Sequence, residues 1–289
     1  MIPPAFEYLR PNTVAEAIQL LEQHGEDAKI LSGGQSLIPM MKLRIARPAY
    51  LIDINRIDGL RYIGEEGGFL RIGGLTREAD LESSVLIRSK YPIIHDTAHV
   101  IADPQVRNLA TLAGNLAHGD PANDHPATML ALGALVVATG RRLQRIIPIT
   151  EFFLSVFTTA LQPGEILTEI LVPIPPAHSG GAYFKLERKV GDFATAGVAA
   201  QVTLDGNGEV QKVGIGLTNV GPTPIKATKA EDFLRGKKPD DQQIRQAAQL
   251  AADEAQPSSD LRGPADYKKG LVKELTRRAL AGAADRAGN

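Results

Sequence analysis

The chain has 289 residues, about twice the length of a usual single domain, so two domains, or one large domain with an appendage, are expected. Hydrophobic residues make up 43% and charged residues 22%, with a mean hydropathy of −0.10, which excludes a disordered or membrane-embedded composition. With 32 basic and 33 acidic residues in no long block, and neither tryptophan nor cysteine, the sequence offers no nucleic-acid footprint, base-stacking platform, disulfide, thiol catalyst or self-held iron–sulfur cluster.

In chain order, Thr13 and Glu16 form a capping-box pattern ahead of Val14, Ala17, Ile18 and Leu21, predicting a helix from about Thr13 to Gln23. Lys29–Leu31 reads as a buried strand, Leu37–Arg44 as helical and Tyr50–Ile54 as strand, a βαβ-like start that favours a small parallel sheet. From Leu60 the pattern changes: Leu60–Ile63 and Phe69–Ile72 flank Glu65-Glu66-Gly67-Gly68, a hairpin signal. Short helices are expected at Arg77–Glu82 and Pro92–Ile101, and Asp124 can cap a helix reaching Leu132. Ala134–Ala138, Gln144–Ile147 and Ile166–Val172 look like strands, and the segment from Pro173 to Gly181 is the strongest linker signal. Beyond it, Tyr183–Arg188, Ala196–Leu204 and Val210–Leu217 read as strands, the last two joined by Asp205-Gly206-Asn207-Gly208, where Gly and Asn supply positive φ. Helices at Asp241–Ala255 and Tyr267–Ala283 complete the chain.

Two segments could carry chemistry. Ser32-Gly33-Gly34-Gln35-Ser36 lies between a strand and a helix, where paired glycines let main-chain N–H groups approach a phosphate; the plainer reading is a tight turn. A Rossmann site would place its ribose-binding acid at Asp53, but Gln35 and Ile38 occupy its second and third glycine positions, and a nucleophile elbow at Gly34-Gln35-Ser36 also lacks its final glycine at Ile38. The second segment, Thr111 to Asp124, gathers a hydroxyl, Gly114, Asn115, Asp120 and Asp124, a set suited to a polyhydroxylated, phosphorylated ligand; turn and cap roles are the plainer alternative. His95 and His99 share helical spacing without a third ligand nearby, so no metal site is expected, while His118 and His125 read equally as loop or catalytic residues.

Together these segments resemble the FAD-binding medium subunit of the aerobic carbon monoxide dehydrogenases and related molybdenum hydroxylases, the xanthine dehydrogenase family. The resemblance spans essentially the whole chain and includes Ser32–Pro39, Thr111–Asp124, Gly191–Ala196, Gly216–Val220 and Ser259–Gly263. It implies an α+β fold: a two-lobed FAD-binding domain of the vanillyl-alcohol-oxidase or PCMH type over 1–176, with lobes of about 1–56 and 57–176. A C-terminal domain of antiparallel sheet and helices would follow over 177–289.

Carried onto matching positions, the resemblance implies main-chain contacts from Gly33, Gly34, Gln35 and Ser36 to the pyrophosphate of non-covalent FAD, with others from Thr111 and Gly114. Asn115 and Asp124 would hold other polar parts, Asp124 at the ribityl chain; Ser32, Leu37, Ala117 and Leu167 would complete the lining, and Lys185 and Phe193 would lie near the isoalloxazine ring. Ser32 replaces the family's usual alanine, Gln35 a histidine, Ala113 a glycine and Phe193 a tyrosine. A Cβ at Ala113 penalises positive φ, and Phe193 lacks a hydroxyl.

The implied function is electron relay. The molybdenum cofactor would reside on a large partner subunit and 2Fe-2S clusters on a small one, in a dimer of heterotrimers, and this chain's FAD would reduce an external acceptor. The alternatives are a stand-alone flavoprotein oxidase and a non-catalytic nucleotide-binding module. Met1-Ile2-Pro3-Pro4 lacks the features of a secretory signal, and the most apolar run, Met129–Ala138, is about half of a bilayer span, so a cytoplasmic protein without a transmembrane segment is expected.

Overall fold

A computed structural model describes residues 2–288. Its first lobe comprises β1 (Glu7–Leu9), α1 (Val14–His24), β2 (Ala28–Leu31), α2 (Leu37–Lys42) and β3 (Tyr50–Asp53). The strands are parallel in the order β1-β3-β2, as the βαβ-like pattern predicted, with Ile30 beside Ile52. Thr13 accepts from the Glu16 N–H at 3.1 Å, and the Glu16 carboxylate reaches back to the Asn12 N–H at 2.7 Å, so side chains satisfy two donors at the start of α1. Ala17 and Ile18 then pack with Ala28, Ile52 and Ile54 in a core that Leu60, Leu75 and Ile166 of the second lobe also join.

The second lobe runs β4 (Ile63–Glu66), β5 (Phe69–Gly73), α3 (Glu78–Ser83), α4 (Val85–Lys90), α5 (Pro92–His99), α6 (Pro104–Arg107), α7 (Leu112–His118) and α8 (His125–Leu132). It continues through β6 (Leu135–Thr139), β7 (Gln144–Pro148), β8 (Phe153–Ser155), β9 (Thr158–Thr159) and β10 (Ile166–Pro173). Its main sheet is antiparallel, in the order β4-β5-β10-β6-β7. Gly67 and Gly68 turn the β4–β5 hairpin with φ of +60° and +85°, the geometry of a two-residue turn. The strand expected from Leu60 begins only at Ile63, because the Leu60 carbonyl is taken by the Leu75 N–H at 2.7 Å, outside the hairpin.

The C-terminal domain contains β11 (Ser179–Glu187), β12 (Ala194–Leu204), β13 (Val210–Thr218), β14 (Ile225–Lys226), α9 (Thr228–Leu234), α10 (Asp241–Glu254) and α11 (Ala265–Gly288). Its antiparallel sheet has the order β11-β12-β13-β14. Strand alternation sorts the two faces of β12: Ala196, Val198, Ala200 and Val202 join the core shared with α10 and α11, whereas Ala199 joins the second lobe's core. On that latter face β13 presents Gly214 and Gly216, where a Cβ would stand 2.0 Å from the carbonyl oxygens of Ala131 and Ala127. Helix α8 therefore lies directly on the sheet's backbone, buried along its whole length.

The linker is shorter than expected, since β10 extends to Pro173 and β11 begins at Ser179. In the β12–β13 turn only Gly208 takes positive φ, at +75°; Asp205 Oδ1 replaces the second special residue by accepting from the N–H groups of Asn207 and Glu209 at 2.9 Å each. No helix among the described residues is long and apolar enough to cross a membrane.

Candidate functional site

The Ser32–Ser36 loop joins β2 to α2. Among the described residues, no group of the chain accepts a hydrogen bond from the N–H of Gly33, Gly34, Gln35 or Ser36. Four successive half-buried donors are thus left for a ligand, and such a row of N–H groups favours an anion. Gly34 takes φ +73°, a conformation that disfavours a side chain. Gly33 is needed for another reason: a Cβ there would stand 2.4 Å from the Leu109 carbonyl oxygen, where the first lobe meets the second.

The loop is fixed from behind by residues that no sequence motif marked. Asn55 Nδ2 donates to the Ser32 carbonyl at 2.8 Å and to Asp53 Oδ1 at 2.6 Å. Arg77 donates to both Asn55 Oδ1 and the Leu109 carbonyl, tying the first lobe to the second. Asp53, set aside above as a ribose ligand, is occupied by Asn55 and the Tyr8 hydroxyl.

The two glycine segments meet where Ser32 Oγ lies 3.0 Å from Thr111 Oγ1. The departure from alanine at Ser32 therefore adds a polar link between the lobes. Thr111 is the N-cap of α7 and accepts from the Gly114 N–H at 3.1 Å. Ala113 lies inside this right-handed helix, so its Cβ meets no positive-φ demand. Asn115 Oδ1 is buried and has no partner among the described residues, an acceptor left open for a donor from outside the chain. Leu37 opens α2 and Ala117 is half-buried on α7. Leu167 is buried in β10, at a register shift that Gly74 approaches closely.

Asp124 does not cap α8 with its side chain, contrary to expectation. Its backbone is already helical, at φ −80° and ψ −44°, and its carboxylate turns instead to the C-terminal domain. There Oδ1 accepts from the Tyr183 hydroxyl and Oδ2 from Lys185 Nζ at 3.2 Å. Burial pushes the Asp124 carboxyl above its ordinary value, against the pull of Lys185, and pushes the Tyr183 phenol well above its own. Lys185, with 3% of its side chain exposed, also reaches Glu187 at 3.1 Å and the Asp192 carbonyl at 3.2 Å.

Phe193 follows at once and is 45% exposed, an aromatic face beside the buried ammonium's partner. Its loop is held by Arg188 and Arg262, at 3.1 Å and 3.2 Å from Asp192, and by Gly191, which at φ +82° packs on the Ala102 carbonyl. The structure thus gathers the expected residues into two linked groups. The glycine segments join through Ser32 and Thr111; Asp124 and Lys185 join directly, and the ammonium also holds the Asp192 carbonyl just before Phe193; Asn123 Nδ2, donating to the Asn115 carbonyl at 2.8 Å, connects the two groups.

Among the described residues, none of the four histidine side chains singled out by sequence makes a hydrogen bond to these groups. The rings of His95 and His99 stack with centroids 6.0 Å apart, and His99 Nδ1 lies 2.8 Å from Glu82. His125 is fully buried, 2.6 Å from Glu78, and His118, whose pKa burial pushes down, rests on Phe157.

A row of open N–H donors, an unpartnered amide oxygen, a buried carboxylate and ammonium, and an exposed ring fit a diphosphate cofactor that also carries hydroxyls and a flat ring system. The comparisons with known proteins agree. Residues 4–175 match the family described as the FAD-binding domain in molybdopterin dehydrogenase, and residues 181–283 match the CO dehydrogenase flavoprotein C-terminal domain. The carbon monoxide dehydrogenase medium chain of Hydrogenophaga pseudoflava is 47% identical over 97% of each chain, and that of Afipia carboxidovorans 44% identical over 100% of each. A solved carbon monoxide dehydrogenase from H. pseudoflava, lacking the Mo-pyranopterin moiety of its molybdenum cofactor, superposes with a TM-score of 0.96 at 48% identity, covering 99% of each chain. The chain accordingly belongs to the FAD-binding medium subunits of the carbon monoxide dehydrogenase and molybdenum hydroxylase family.

Proposed function

We propose that this chain holds FAD across its two glycine segments and relays electrons from a partner's iron–sulfur clusters to an external acceptor. The observation that carries the reading is the row of unpaired N–H groups from Gly33 to Ser36 beside Thr111. These donors bind the diphosphate, with further contacts from Thr111 and Gly114. Asn115 accepts from the cofactor through its open Oδ1, Asp124 holds the ribityl chain, and Ser32, Leu37, Ala117 and Leu167 line the remaining surface. Lys185 and Phe193 flank the ring, where the ammonium favours the negative charge gained on reduction. When bound, FAD supplies transfer of electrons singly or in pairs.

The rest of the assembly belongs to the same proposal: a large subunit with the molybdenum cofactor, a small one with 2Fe-2S clusters, a dimer of heterotrimers, and a cytoplasmic location. Relatives named as medium chains support the partners, and the cysteine-free composition supports placing the clusters elsewhere. The boundaries 1–176 and 177–289, with lobes of about 1–56 and 57–176, are supported by the family matches over 4–175 and 181–283 and by a separate main sheet in each of the three parts. Titration of the purified chain with FAD, followed by flavin fluorescence, should reach one FAD per chain and yield a yellow, reducible protein. Failure to bind FAD would overturn the reading.

A further inference from the structure

Tyr183 was not marked by any motif, yet it is a buried partner of Asp124. It lies on β11 two residues before Lys185, so both side chains leave the same face of the sheet. The two oxygens of the carboxylate are divided between them: Oδ1 takes the phenol O–H and Oδ2 the ammonium. The fold makes room for this hydroxyl. Gly197 on β12 is the register partner of Lys185, and a Cβ there would stand 2.4 Å from the phenol oxygen. The carboxylate comes from the FAD-binding domain, while both donors and the glycine come from the C-terminal domain.

We infer that Tyr183 is a positioning residue for the cofactor: by holding one oxygen of Asp124 while Lys185 holds the other, it fixes the carboxylate for FAD without itself touching FAD. The inference rests on the reading that Asp124 contacts the cofactor. A carboxylate already fixed loses little conformational freedom when ligand arrives, and a neutral donor on a buried charge is among the stronger hydrogen bonds. The groups that face Asp124 are Lys185 and Tyr183 from β11 and His125 beside it on α8, all of which favour its ionised form against burial. Deleting the phenol hydroxyl removes one of the three.

The test uses the full chain and FAD itself, with affinity measured by fluorescence quenching as a function of pH. Tyr183→Phe should weaken FAD binding about tenfold at neutral pH. It should also move the acid limb of the affinity profile to higher pH, because Asp124 then takes up its proton more readily. Gly197→Ala should do the same while leaving the hydroxyl in the chain, by displacing it, and so covers the case in which Tyr183→Phe fails to fold. In an Asp124→Asn background, Tyr183→Phe should have no further effect.

Unaltered affinity and profile in both Tyr183→Phe and Gly197→Ala, with Asp124→Asn still weakened, would overturn the positioning role alone. A loss that is equal at every pH and additive with Asp124→Asn would overturn it too, marking Tyr183 as a packing residue. Undiminished binding in Asp124→Asn would instead remove the site reading beneath it.

Discussion

Removing the Asp124 carboxylate leaves the buried Lys185 ammonium with Glu187 at 3.1 Å and the Asp192 carbonyl as its partners. Asp124→Ala should therefore cost about 3 kcal/mol, the scale of a broken buried pair, more than the roughly 1 kcal/mol of a lost helix cap. FAD affinity should fall with it. Denaturant unfolding and FAD titration on the same variant check both, and a loss near the cap value would contradict the buried-pair account. Glu165 offers a pH-dependent counterpart outside the site. Arg145 meets both of its oxygens at 2.7 Å and holds the carboxyl below its ordinary 4.5, with the Gln162 N–H also donating at 2.7 Å. Since the folded value lies below the unfolded one, this stability is present above pH 4.5 and is lost as the pH falls through the folded value. Glu165→Gln should cost about 1.5 kcal/mol at neutral pH. Thermal unfolding at neutral pH and at about pH 3 should show the deficit narrowing in acid.

The two glycine segments look alike in sequence but answer to different neighbours. At Gly33 an added Cβ meets main chain of the second lobe, the Leu109 carbonyl at 2.4 Å and Ala110 Cα at 2.7 Å, neither of which can step aside alone. Gly33→Ala should lower FAD occupancy and also destabilise the seam by about 1 to 3 kcal/mol. At Gly114 the added atom meets only the Thr111 hydroxyl, at 2.7 Å, within a helix that gains from alanine. Gly114→Ala should therefore lose flavin with little loss of melting temperature. Flavin-to-protein ratios beside thermal melts separate the cases, and full occupancy in both variants would remove the glycine segments from the site. Helix α7 itself was not legible: no helix is expected over Thr111–Ala117 because Gly114 and Asn115 are weak helix formers in so short a segment, and the Thr111 cap and packing on β10 make it one.

For the whole molecule, the reading of a relay predicts divided chemistry. Freed of its partners, the chain should bind FAD and be reduced by dithionite but by no substrate of the intact assembly, and adding the partner subunits should restore that reduction. Substrate reduction of the isolated, metal-free chain at the rate of the complex would replace the relay with a stand-alone oxidase. The order of elements was largely readable, because periodicity and turn chemistry are local: the parallel first sheet, the Gly67–Gly68 hairpin and the long C-terminal helices each follow from neighbours in sequence. Of the proposed cofactor positions, the two glycine segments were legible as candidate phosphate contacts, while the individual roles, Lys185 and Phe193 above all, came only through a resemblance. Tertiary structure decided what those residues do for the chain itself: that Ser32 meets Thr111, that Asn55 and Arg77 brace the loop, and that Gly214 and Gly216 admit α8. It alone turned Asp124 from a cap into the clasp between domains, since Tyr183 and Lys185 lie 59 and 61 positions away and become its partners only once the sheet is laid against α8.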